Sequence, residues 1–296
     1  MIRKENEKIV DSVTEPHNTR TLFVSDLDGT LMQPDATLSH NTVKLLNDSI
    51  KSGKLFTIAT ARTPATVSGI IKDVDMQLPA IVMTGAAIWD KRTNRYSHRK
   101  FIDPVAVKDF IDLLHKNEFP IFHFTLEEDI INIYHIGGKL NDIEREFVEE
   151  RLSSPYKHFF LREDGGEIMP EVIDKTILFY GMQPTEHSEE VYAQAKSIPD
   201  LRPQFYHDFY GPSIGIMEAF SPLATKAEAV RMMKEVSGAD RVVAFGDNIN
   251  DIPMLEVADI AVAVENALPE VKAMADVVIG PNTADSVAEF IHSFRD

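Results

Sequence analysis

The sequence predicts a parallel α/β core interrupted by an inserted α+β domain. Short apolar runs alternate with helical periods at both ends of the chain. The alternation lapses between residues 101 and 218, and polar clusters close three of the runs.

Thr21–Ser25 is the first run, and a helix carrying Val43, Leu46 and Ile50 follows it, ending near Gly53. Leu55–Ala59 and Ala80–Met83 come next, and Arg241–Phe245, Ile260–Val264 and Val277–Ile279 resume the pattern late in the chain. Runs this short, apolar throughout and separated by helices, read as parallel strands covered on both faces. In the insert, Asp103 and Pro104 form a cap and first-turn pair that opens a helix through Leu113 and Leu114. Strands are expected at Ile130–Ile136, Thr176–Gly181 and Ser213–Phe220, with acidic helices around 141–152 and 187–196. The expected division is a polar tail at 1–20, a core formed by 21–100 and 219–296, and an inserted domain at 101–218.

Composition narrows the partners. With 44% hydrophobic and 26% charged residues, the chain is globular in type rather than disordered. Its 30 Lys+Arg against 47 Asp+Glu give a formal charge of −17, which repels nucleic acid and anionic membranes. The same charge repels a phosphorylated ligand, so any phosphate site must supply local positive charge. The absence of cysteine excludes disulfides, thiol nucleophiles and thiolate metal sites. No apolar stretch reaches the ~18 residues that a membrane span needs, and the first twenty residues lack a signal-peptide core. A cytoplasmic location is the expectation.

Chemistry collects at three strand ends: Asp26-Leu-Asp28-Gly29-Thr30, Thr60-Ala-Arg62, and Gly246-Asp247-Asn-Ile-Asn250-Asp251. Open α/β sheets bind ligands outside those carboxyl ends, so these clusters converge. Four carboxylates in one crevice require a cation, and an all-oxygen set without a His or Cys cluster favours Mg²⁺ over Zn²⁺. A metal so held lets an anionic carboxylate approach phosphorus. One Asp can then form an acyl-phosphate, while the Asp two residues on serves the leaving oxygen and then the attacking water. Gly29 lets the backbone pass close to the phosphoryl group. Lys226 is the candidate cation: Thr225-Lys-Ala-Glu228 has the form of a capping box, placing Lys226 first in its helix, where a phosphate would also be favoured. Each residue has a plainer reading as a turn, cap or solvated side chain, and for Arg62 substrate contact and carboxylate pairing stand side by side. His207 and Glu218 are further candidates to line the cleft.

Taken together these residues resemble the haloacid dehalogenase superfamily, and within it the Cof-type phosphatases that carry a large inserted cap (class IIB, C2-type). The resemblance is densest at 21–63, 80–90 and 218–285. It implies a Rossmann-like core and makes Asp26 the nucleophile and Asp28 the acid/base, whose backbone carbonyl also binds Mg²⁺. It makes Thr60 and Lys226 the holders of the transferring phosphoryl group, Asp247 and Asp251 metal ligands, and Asn250 a neighbour of the phosphate. Three positions depart from the family pattern: Ala61 and Ser286 where Gly is usual, and Thr84 where Asn usually precedes Gly-Ala. Thr84 lies near the expected site and joins Arg62 as a candidate substrate contact. The implied activity is Mg²⁺-dependent hydrolysis of a small phosphorylated metabolite, a sugar phosphate in the commonest case, with pyridoxal phosphate and flavin mononucleotide as others. The alternatives are a phosphomutase or phosphotransferase using the same aspartyl-phosphate, and a non-catalytic phosphometabolite sensor. The oligomeric state is not legible.

Overall fold

The computed structural model describes residues 19–162, 166–207 and 213–295. All but the last two residues of the expected tail lie outside the described residues. The chain begins with β1 (Thr21–Ser25), α1 (His40–Lys51), β2 (Leu55–Ile58) and α2 (Pro64–Ile70). Three short strands follow: β3 (Ala80–Val82), β4 (Ala87–Asp90) and β5 (Arg95–Ser97). The middle stretch holds α3 (Pro104–Lys116), β6 (Ile121–Glu127), β7 (Ile130–Ile136), α4 (Asp142–Glu149) and β8 (Lys157–Phe160). It continues with β9 (Thr176–Pro184), α5 (Thr185–Ala195), β10 (Arg202–His207) and β11 (Ile214–Phe220). The chain then returns through α6 (Lys226–Ser237), β12 (Arg241–Gly246), α7 (Ile252–Glu256) and β13 (Ile260–Val264). It closes with α8 (Pro269–Met274), β14 (Val277–Ile279) and α9 (Ser286–Ser293).

The first sheet has the order β14-β13-β12-β1-β2 with all pairs parallel. Strand order reverses at the β1–β12 pair, because β1 leads outward to β2 and β12 leads the other way. Such a switch point opens a crevice at the carboxyl ends of the two strands. Apolar runs fill this sheet because both faces are covered: Leu22, Phe23, Val24, Val242, Val243 and Phe245 are all fully buried.

One expected core strand behaves differently. β3 touches the parallel sheet through a single bridge, Ala59 to Ile81, and otherwise pairs antiparallel with β4 in a separate three-stranded sheet with β5. Its run, Ala80–Val82, is too short to carry a full second ladder. The end of β3 makes a sharp turn in which Met83, Thr84 and Gly85 all have positive φ (51°, 55° and 90°). A β-branched residue pays strain for that conformation, whereas Asn tolerates it. Thr84 is therefore strained at the position where the resembled family usually has Asn.

The second large sheet, β10-β11-β9-β6-β7-β8, is built wholly from residues 121–220 and is antiparallel except for the β7–β8 pair. One face carries Ile121, Ile136, Phe179 and Met217 into a cluster with α3 and α5. The other carries Phe122, Phe124, Ile131 and Ile133 into the same apolar cluster as Trp89 and the first sheet. The residue alternation of strands produces this two-faced burial. Asp103 caps α3 as expected, accepting from the amides of Val105 (2.8 Å) and Ala106 (3.4 Å). Strands β6, β8 and β10 were not among the expectations. No helix among the described residues is long and apolar enough to cross a membrane.

Gly85 joins this fold to the crevice, because a Cβ there would lie 2.3 Å from the Thr225 carbonyl oxygen. Gly85→Ala is expected to lower stability by about 1–3 kcal/mol through positive-φ strain and the clash, a shift that urea unfolding of the variant would read.

Candidate active site

Asp26 follows β1 directly and turns the chain into the crevice. Its amide donates to Phe245 O at 3.0 Å, which keeps it in register with β12. The turn Leu27–Leu31 then doubles back, with Gly29 at φ 74°. A Cβ on Gly29 would sit 2.3 Å from Asp247 Oδ2, so only glycine lets this loop lie against the end of β12. Thr30 donates its hydroxyl to Asp247 Oδ1 at 2.9 Å, and Asn266 donates to Gly29 O at 2.7 Å.

At the centre stands Lys226, fully buried as the first residue of α6. Its ammonium donates to Asp26 Oδ1 at 2.5 Å and to Asp251 Oδ1 at 2.6 Å. The local device that starts α6 is half of the expected capping box. Thr225 accepts from the Glu228 amide at 3.1 Å, but the Glu228 carboxylate turns outward to Arg231. Asp251 is held at both oxygens: its second accepts from the amides of Asp247 (3.0 Å) and Asn248 (3.1 Å).

Asp26, Asp247 and Asp251 bring carboxylate oxygens within 4.8 Å of one another. Three carboxylates around one ammonium leave two negative charges uncompensated, the charge of one divalent cation. The electrostatics register this excess. Burial first and Asp251 second push Asp26 well above the carboxylate range, against the pull of Lys226. Asp247 is pushed up to about 6 by burial, against the Thr30 hydrogen bond and with Asp251 adding to the rise. Burial alone would push Lys226 down, but Asp251 and Asp26 outweigh it and hold the ammonium charged. Hard oxygen donors with surplus negative charge fit a divalent ion. Asp26 and Asp247 each accept on one oxygen only and keep the other for it, whereas both oxygens of Asp251 already accept hydrogen bonds.

The remaining expected residues are placed as follows. Thr60 is fully buried beyond β2 and accepts from the Arg62 amide at 3.1 Å, and its backbone pairs with Ile81 and Thr84. The Arg62 guanidinium grips Asp28 through two bonds of 2.8 and 2.6 Å, so of its two open readings the carboxylate pairing is the one observed. Asp28 is about half exposed and faces the cleft rather than the buried cluster. Thr84 is buried under the β3 turn, and Asn250 is exposed on the turn after β12.

Above Asp28 and Arg62 lies a cavity of about 300 Å³. Its roof comes from the second large sheet, α4 and the turn after it: Phe124, Phe147, Arg151, Lys157, Leu178, Tyr180, Tyr206 and Glu218. Glu218 was anticipated; His207 was too, but it follows Tyr206 on the strand, faces the other way and packs on Phe205 instead. The aromatic roof was missed. Phe124, Phe147, Tyr180 and Tyr206 come from four separate elements, β6, α4, β9 and β10, and no sequence spacing joins them. Burial pushes Glu218 up to about 7, with a Tyr206 hydrogen bond opposing.

A carboxylate cluster bridged by one lysine at the switch point of this fold marks a class of enzyme. The family model for haloacid dehalogenase-like hydrolases matches residues 23–291, and the chain belongs to that family. Within it the chain is a phosphatase. It is 28% identical to pyridoxal phosphate phosphatase YbhA of Escherichia coli (strain K12), over 93% of this chain and 98% of that one. It is 24% identical to 5-amino-6-(5-phospho-D-ribitylamino)uracil phosphatase YitU of Bacillus subtilis (strain 168), over 92% and 97%. Among solved structures, TM0651 from Thermotoga maritima shares the fold with a TM-score of 0.73 at 20% identity, covering 93% of this chain and 97% of that one.

Two outcomes follow from the geometry. Lys226→Met strands two buried carboxylates and is expected to cost about 3–5 kcal/mol in urea unfolding without added metal. Glu218 gives a pH signature of definite sign. The folded state keeps a proton that the unfolded chain releases, so its contribution is complete below the ordinary glutamate pKa and is lost as pH rises toward 7. Glu218→Gln is expected to remove that decline, opening a gap of about 3 kcal/mol above pH 7 between the two unfolding curves.

Proposed function

We propose that the protein hydrolyses a small phosphomonoester with Mg²⁺, passing the phosphoryl group through an aspartyl-phosphate on Asp26. The observation that carries this is the buried Asp26 carboxylate at the end of β1, held by Lys226 beside two uncompensated negative charges. Asp26, Asp247 and the backbone carbonyl of Asp28 would hold the ion. It would neutralise phosphate oxygens and align phosphorus with the nucleophile.

In the first step an Asp26 oxygen forms a bond to phosphorus while the bond to the leaving oxygen breaks. Asp28 gives that oxygen its proton. In the second step water attacks the same phosphorus, Asp28 takes the water's proton, the acyl-phosphate bond breaks and inorganic phosphate leaves. Lys226 stabilises the charge on the transferring group and keeps Asp26 oriented. Thr60 and the amides around Gly29 are the neutral donors to the phosphoryl oxygens, with Asn250 at the rim. Asp251 acts through others, by fixing Lys226 and the Asp247 amide. Arg62 occupies Asp28 in the free protein, and a substrate phosphate is a competing partner for its guanidinium.

Residues 101–218 act as the cap, pivoting near residues 100 and 219 to exclude water. The cavity under the cap limits the leaving group to metabolite size. The similar YbhA and YitU are named for phosphoesters that carry a heteroaromatic ring, which the aromatic roof suits; sugar phosphates fit the same volume.

Phosphate release from pyridoxal phosphate and a panel of sugar phosphates tests this reading. Release is expected to vanish with EDTA, to return with Mg²⁺, and to fall at least about 10³-fold in Asp26→Asn. Undiminished release by that variant would remove the nucleophile assignment. Transfer of phosphate to a sugar hydroxyl instead of water would move the activity to a phosphotransferase.

A further inference from the structure

Lys157 has no role in the chemistry above, and its situation is unusual. It opens β8 with 3% of its surface exposed, on the wall of the cavity above Asp28 and Arg62. Its ammonium lies 5.5 Å from the Phe147 ring centre and 5.6 Å from that of Phe159. Among the described residues no carboxylate, carbonyl or hydroxyl pairs with it. Nearby Arg151, ion-paired with Glu150 at 2.6 Å, stacks its guanidinium at 4.2 Å over the Phe147 ring. Burial, and then Arg151, push Lys157 down to about 7. A buried amine without a counter-charge costs stability, so the pocket carries an electrostatic deficit that a bound anion would repair. The Phe147 ring also stacks on Tyr180, 5.5 Å between centres and 27° between planes, and the two rings line the cavity beside the amine as an apolar wall.

We propose that Lys157 and the Phe147–Tyr180 wall form a leaving-group subsite that selects phosphomonoesters of a planar ring bearing an anionic oxygen substituent. The ring packs against the aromatic wall, and the ring's oxygen (a phenolate or carboxylate) accepts from Lys157. A charge-assisted bond in a dry pocket is strong, and it forms with the leaving group rather than with the transferring phosphate. The subsite therefore sets which ester is taken without entering the bond-breaking steps. An open-chain sugar phosphate offers neither a face to stack nor an anion for the amine. The inference rests on the phosphatase reading only for its kinetic half.

The test compares native protein with Lys157→Met and Lys157→Arg on two esters, pyridoxal 5′-phosphate (ring plus anionic oxygen) and benzyl phosphate (ring alone). The ratio of kcat/KM for the first ester over the second is expected to fall about 10–100-fold in Lys157→Met, mainly through KM, and to recover in part in Lys157→Arg. Binding of unphosphorylated pyridoxal, followed by its fluorescence, is expected to weaken by a similar factor. An unchanged ratio, or equal losses on both esters, overturns the subsite. If native protein hydrolyses neither ester but releases phosphate from a sugar phosphate, the subsite is overturned while the phosphatase reading stands; if it hydrolyses no ester at all, the pyridoxal titration decides the subsite alone, and equal affinity in native and Lys157→Met protein overturns it.

Discussion

The ammonium of Lys226, wedged between the carboxylates of Asp26 and Asp251, is the contact around which the protein is organised. It joins three segments distant in sequence: the end of β1, the start of α6 and the turn after β12. A buried charge of this kind does not pay for itself by attraction alone, since desolvation offsets much of the Coulomb gain. Its partners must therefore be held by other bonds. Asp251 accepts two backbone amides, Asp247 accepts the Thr30 hydroxyl, and Thr225 caps the helix that delivers the lysine. Each of these would be a minor local feature elsewhere; here each fixes one side of a charged cavity.

The charge left over is as informative as the bonds. One ammonium cannot neutralise three carboxylates, and the free protein answers by holding protons more firmly on Asp26 and Asp247. A divalent cation would remove the need for those protons and, in the proposed reaction, leave Asp26 free to attack. On a chain whose net charge is −17, positive charge for an approaching phosphate is gathered at Lys226 on the floor, at Arg62 beside Asp28, and at Lys157 and Arg151 of the roof. Attraction is thus supplied at the place where it is useful.

Floor and roof obey opposite rules. The floor is polar, cross-linked by hydrogen bonds and tied to the parallel sheet. The roof is aromatic, offers few hydrogen bonds and belongs to a sheet whose inner face continues the main apolar cluster. Between them the turn at Met83–Gly85 stores three left-handed residues in succession. Strain of this order persists only where surrounding packing over-determines it, and here the Thr225 carbonyl lies too close to Gly85 to admit a side chain. The turn sets the distance between β3 and α6, and through α6 the position of Lys226.

The sequence by itself determined the parallel core and named Asp26, Lys226, Asp247 and Asp251, which the structure brings together. This was possible because strand-end motifs are local: Asp26-Leu-Asp28-Gly29 and Gly246-Asp247 sit beside the apolar runs that position them, and the switch-point rule brings such ends together. The runs Thr21–Ser25, Arg241–Phe245 and Ile260–Val264 were legible because strands buried on both faces are apolar throughout. Strands β8 and β10 were not, since partly exposed strands mix polar and apolar residues in short stretches that resemble loops, and β6 was not because the buried polar residues His123 and Thr125 break its apolar run. Tertiary structure alone decided that Arg62 grips Asp28, that the Glu228 carboxylate abandons its cap for Arg231, and that β3 leaves the parallel sheet. It also assembled Phe124, Phe147, Lys157, Tyr180 and Glu218 into one wall. These residues lie on separate elements of the second sheet and α4. Their meeting depends on strand register and helix docking, and no spacing along the chain encodes either.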